Sequence, residues 1–206
     1  MIVHPTRQAS VTRRCAWALG LGLALASPAL AEPLVLEGLT FSDELGGVEL
    51  LDGWGRGTLD DPFVLVEEIT GEGPAILIGR AISWRVGNRI RSQHEIGFAL
   101  TKIVRNATAL PWALFHLELR EFLDRSSPFG DGLSFGQATT AGRPFSSDRF
   151  AAVQEVQEPY DALSFHDGIV PPGDEVVMSF VITDSTPTYQ IFLLQRRDSP
   201  IAMRAD

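Results

Sequence analysis

The chain has 206 residues but a single cysteine, Cys15, a single lysine, Lys102, and only two tyrosines. One cysteine excludes an internal disulfide framework and a Cys-based zinc cluster. Basic charge is also scarce: 17 Lys plus Arg stand against 26 Asp plus Glu, a formal net charge of −9. Nucleic-acid binding relies on Lys and Arg to neutralise phosphates, so this balance argues against such a partner. No apolar run approaches the ~20 residues of a membrane-spanning helix. What remains is 45% hydrophobic and 9% aromatic. That is enough for a buried core, and it excludes the disordered and collagen-like classes.

Residues 1–31 have the three-part build of a secretory signal. Arg7, Arg13 and Arg14 make a positive start, Ala16–Ala26 is an apolar run, and Ala29-Leu30-Ala31 is a small-residue cleavage signature. Cleavage there predicts a mature chain beginning at Glu32, secreted or periplasmic. Arg13-Arg14 also hints at twin-arginine export, although Ala16 and Trp17 follow where that signal prefers bulky apolar residues. The mature chain would have 175 residues, a formal charge of −12 and no cysteine. Lys102 would stand beside 13 arginines, which we read as codon preference in the source.

Beyond that segment, period-2 alternation dominates, as expected of half-buried strands. Glu175–Thr183 is the clearest case: Val176, Met178, Phe180 and Ile182 share one face. Further strands are expected at 34–41, 62–70, 75–84, 94–105 and 189–195, each bounded by Gly, Asp, Asn or Pro. Trp112–Arg120 alternates as a strand, although Trp112, Phe115, Leu119, Phe122 and Leu123 also fit a helical stripe; strand is the reading adopted. Glu121–Ser127 follows as a short helix or loop. Pro128-Phe129-Gly130-Asp131-Gly132-Leu133-Ser134-Phe135 is echoed, one residue shorter, at 159–165, which suggests two equivalent strand starts. The expected fold is all-β: a single antiparallel β-sandwich over 32–195, Ig-like or jelly-roll-like, with a frayed tail at 196–206.

The stretch Lys102-Ile103-Val104-Arg105-Asn106-Ala107-Thr108 with Trp112-Ala113-Leu114-Phe115-His116-Leu117-Glu118-Leu119 resembles a strand–turn–strand signature of exported bacterial β-sandwich proteins. These are commonly uncharacterised, and many carry a PEP-type C-terminal sorting tail. Pro171-Pro172-Gly173 matches their Pro-Gly turn before a long strand. Residues 195–200 are basic and lack the apolar anchor of that tail. The resemblance implies export and a sandwich fold, and no activity.

Several motifs point to chemistry. Gly132-Leu133-Ser134-Phe135-Gly136 fits G-x-S-x-G, with Asp161 and His166 following in the order of a serine hydrolase, but strand and helix are missing around it. Gly53-Trp54-Gly55-Arg56-Gly57-Thr58 is glycine-rich, yet Asp60-Asp61 and a β-prone run follow, so it reads as a turn and not a phosphate loop. His116 and Glu118, at i and i+2, could share a metal, with His94 or His166-Asp167 completing a site. Asp60, Asp61, Asp131, Asp161, Asp167 and Asp174 sit in turn-like regions that could serve calcium, without EF-hand spacing. Trp54, Trp84 and Trp112 could stack on a sugar or fill the core. Asn106-Ala107-Thr108 fits a glycosylation acceptor, read here as a turn. The expected function is a non-catalytic binding, adhesive or structural module with a glycan or protein ligand. The alternative is a secreted hydrolase of carbohydrate or ester using Ser134, His166 and Asp161.

Overall fold

The computed structural model describes residues 32–80, 86–137 and 145–199. The expected signal at 1–31, Trp84 and the chain after Ser199 lie outside the described residues. The described chain is all-β, its one helical element being a short 3₁₀ turn at Phe129–Asp131. In chain order the strands are β1 (Leu34–Leu36), β2 (Leu39–Ser42), β3 (Glu49–Trp54), β4 (Phe63–Ile69), β5 (Ala75–Arg80), β6 (Ile96–Asn106) and β7 (Leu114–Arg120). After the 3₁₀ turn come β8 (Leu133–Ser134), β9 (Ser146–Ser147), β10 (Phe150–Val156), β11 (Ala162–Gly168), β12 (Glu175–Asp184) and β13 (Gln190–Asp198).

They form two packed sheets. The larger runs β1-β2-β5-β13-β7-β11-β10, and the smaller β3-β4-β6-β12-β8 with β9 also on β12. The core between them follows the period-2 faces. Val176, Met178, Phe180 and Ile182 of β12 meet Phe115, Leu117 and Leu119 of β7 and Leu163 and Phe165 of β11 in one buried cluster. Phe63 anchors it, edge-on to both Phe41 and Phe98.

Three expectations change, and one open alternative is resolved. The segment 34–41 is not one strand but the β1–β2 hairpin, because Glu37 (φ 46°) and Gly38 (φ 97°) take the left-handed pair of values that closes a two-residue turn. The sheets are not purely antiparallel: β4 runs parallel to β6. Between them β5 crosses to the facing sheet, so the chain returns to the smaller sheet in its original direction. Residues 121–127 form turns, not a helix, while 112–120 is the expected strand region. Finally, β13 does not stop at Gln195: Arg196, Arg197 and Asp198 pair with His116, Phe115 and Leu114.

The internal echo has a structural meaning. Its first copy starts β8 in the smaller sheet, and its second starts β11 in the larger. Leu133 and Phe135 of one copy and Leu163 and Phe165 of the other enter the same core.

Candidate functional site

Ser134, Asp161 and His166 do not form one constellation. Ser134 is 2% exposed and faces its neighbour in the smaller sheet: its hydroxyl lies 3.2 Å from Thr183 Oγ1 and accepts from the Gln137 amide at 3.1 Å. Asp161 sits beside β7, where its carbonyl accepts from the Leu119 amide. His166 is five residues further along that extended segment, which at ~3.3 Å per residue separates the two by about 16 Å. The carboxylate His166 does meet is that of its neighbour Asp167, at 3.3 Å.

The proposed metal ligands are likewise dispersed. His116 and Glu118 share the outer face of β7, but each has its own partners. His116 Nδ1 lies 2.8 Å from Ser164 Oγ, and its ring meets Tyr160 edge-on. Burial, aided by the charge of Arg196, pushes the imidazole below its usual value. Glu118 accepts from Arg120 Nε at 2.7 Å, Ser126 Oγ at 2.9 Å and Arg196 Nη1 at 3.0 Å. Burial works against its charge, but these donors outweigh it and hold the carboxyl below the ordinary range. Asp174 pairs with Arg149, and Asp131 accepts from the Leu133 amide. Among the described residues, no three His, Cys, Asp or Glu side chains are grouped to hold a metal ion.

Two candidates lack this satisfaction. His94 Nδ1 is buried without a hydrogen-bond partner, and Asp161, 2% exposed, has none at Oδ2. Burial pushes its carboxyl up to about 8, and Asp131, Glu155 and Glu158 add to the shift.

The glycine-rich run 53–58 is a turn between β3 and β4. Gly55 takes φ 96°, and a Cβ there would meet the Pro62 carbonyl; the amides of Arg56 and Thr58 both donate to Asp61 O. Asn106 is fully buried. Its Nδ2 donates to the carbonyls of Leu110 and Val170, both at 2.9 Å, and its Oδ1 accepts from the amide and hydroxyl of Thr108. The Thr108 hydroxyl in turn accepts from Trp112 Nε1 at 3.1 Å. Trp112 is therefore a core residue, whereas Trp54 is half exposed.

The outer face of the larger sheet carries an open groove of about 700 Å³ over β7, β11 and β10. Ala113, Leu114 and Ile169 give it apolar surface, and Gln154, Ser164, His166 and Asp167 give it polar groups. Alternation explains the placement. Leu163 and Phe165 point into the core, so Ser164 and His166 point out, with Gln154 opposite Ser164 on β10.

A second cluster escapes motif reading altogether. Glu67, Lys102 and Gln195 are all 0% exposed. Glu67 interrupts the inward series Phe63, Leu65, Ile69 of β4, and Lys102 the series Phe98, Leu100, Val104 of β6. Gln195 continues Ile191 and Leu193 from the facing sheet. Lys102 Nζ donates to Glu67 Oε1, and Gln195 Nε2 donates to Glu67 Oε2 at 3.0 Å. Burial pushes the Lys102 ammonium below its usual value, against the pull of Glu67. Glu67 is therefore the buried centre of a tie between the sheets, with the sole lysine as its counter-ion. A polar residue inside an otherwise apolar alternating face was the available signal.

Comparison with protein-family models, with curated proteins and with solved structures finds no match to this chain.

Proposed function

We propose that the chain is an exported, non-catalytic module that binds a glycan or protein segment in the groove bounded by Gln154, His166, Asp167 and Ile169. The groove carries this reading: it is open, mixes apolar and polar walls, and presents the His166–Asp167 pair to solvent. The signal-like build of residues 1–31 supports export. The fold we infer for it is a single β-sandwich of the Ig-like or jelly-roll-like kind. The separation of Asp161 from His166 gives the hydrolase alternative no support.

A thermal-shift screen of the mature protein with common glycans, calcium, zinc and chelator tests the reading, because a ligand of the native state raises Tm. We expect a glycan to raise Tm and His166→Ala to remove that rise. A rise that survives both His166→Ala and Ile169→Asp would place the ligand elsewhere. N-terminal sequencing of the exported chain should begin at Glu32.

A further inference from the structure

We propose that Lys102 and Gln195 join through an intramolecular isopeptide bond, with Glu67 as the acid–base group, so that the two sheets are covalently stapled. The inference is independent of the groove and of any ligand.

The placement gathers on one carboxylate the groups that amide exchange uses. The reaction needs an amine, a carboxamide and a proton carrier touching both, away from competing water. Glu67 accepts from the amine through one oxygen and from the carboxamide through the other, at 3.0 Å for the latter. All three side chains are fully buried. Effective concentrations in such fixed arrangements are very high, which is how a sluggish exchange becomes accessible. The carboxamide carbonyl, Gln195 Oε1, is buried with no hydrogen-bond partner, so the unreacted carboxamide is only half satisfied.

The step balances without any outside reactant. Glu67 takes one proton from the Lys102 ammonium. The free amine attacks Gln195 Cδ, the new C–N bond forms, and the original Cδ–Nε2 bond breaks. The nitrogen leaves as ammonia, carrying the proton that Nζ gives up, and Glu67 keeps the proton it first took. A buried ion pair is thereby replaced by a neutral amide and a neutral carboxylic acid. Desolvation of two buried charges is costly before their attraction is counted, so the product relieves a penalty that the unreacted pair carries. The lowered pKa of Lys102 favours the free amine that attacks.

The bond makes a mass prediction. The purified, folded chain should weigh about 17 Da less than its sequence, the mass of one ammonia. Trypsin should fail to cut after Lys102 and should yield Ser92–Arg105 joined to Phe150–Arg196, fragments that otherwise contain no further Lys or Arg before their ends. Glu67→Gln and Lys102→Met should each restore the full mass. A wild-type protein of full mass, cut normally after Lys102, would overturn the proposal. So would loss of about 18 Da with Ser92–Arg105 joined to the Glu67 fragment, since water would then have left and Gln195 would be a bystander. A cross-link undiminished in Glu67→Gln would overturn the role of Glu67. The wild-type measurement stands even if a variant fails to fold.

Discussion

Arg197 lies over the indole of Trp112, its guanidinium carbon 5.7 Å from the ring centroid. From there Nη2 donates to the carbonyls of Gly71 and Gly73, at 2.5 and 2.8 Å. One side chain thus closes the end of the core and fixes the loop between β4 and β5. Hydrogen bonds to a charged group are worth roughly 1.5–3 kcal/mol. Arg197→Ala should therefore cost about 2 kcal/mol in urea unfolding, and Arg197→Lys should recover only part of it, lacking the planar fork.

Asp161 sets a pH dependence. Its folded value, about 8, stands above the ordinary 3.8. Between those pH values the folded protein holds a proton that the unfolded chain has released, so stability falls as pH rises, by at most about 1.4 kcal/mol per pH unit. Above pH 8 the cost is fully present. Asp161→Asn should be more stable than wild type at pH 8, with the advantage vanishing near pH 4. Parallel stability curves for the two proteins would refute this origin.

In a Gln195→Leu background, which cannot form the staple, the Glu67–Lys102 pair should behave as a unit. There Lys102→Met leaves the Glu67 carboxylate buried without its cation, and breaking such pairs costs about 3–5 kcal/mol. Adding Glu67→Leu should return a large part of the loss. Equal losses in the single and double variants would show that charge pairing is not the term at stake.

Asn106 fills its hydrogen bonds within the protein, so its acceptor sequence is not available on the folded surface. Asn106→Ala would leave the Thr108 amide without its acceptor and take one donor each from the Leu110 and Val170 carbonyls, which keep Thr108 Oγ1 and the Trp112 amide. A loss of about 3 kcal/mol is expected, read as a lower denaturation midpoint at unchanged slope. Asn106→Asp keeps the acceptor for Thr108 but sets a second acceptor oxygen against the Leu110 and Val170 carbonyls in a fully buried site, so it should lose at least as much.

Alternation made the strands legible, because Val176 to Ile182 or Phe115 to Leu119 leave no other face to bury. It could not reveal which sheet each strand joins. That depends on pairings such as Val64 with Thr101, remote in sequence and without a local signature. The G-x-S-x-G run misled for a related reason. Spacing along the chain says nothing of direction, and Ser134 turns toward Thr183 while His166 turns outward. Glu67, Lys102 and Gln195 were each visible as polar interruptions, but only the folded sheets show that they meet.

The place of β13 bears on how the molecule is made. It is the last described strand in the chain, yet it lies between β5 and β7 in the middle of the larger sheet. Until residues 190–198 emerge from the ribosome, those two neighbours have open edges where their common partner belongs. Non-local closure of this kind is slow and leaves unpaired edges prone to association. A nascent chain built this way stays pliable until β13 is available, and the larger sheet then closes at its middle.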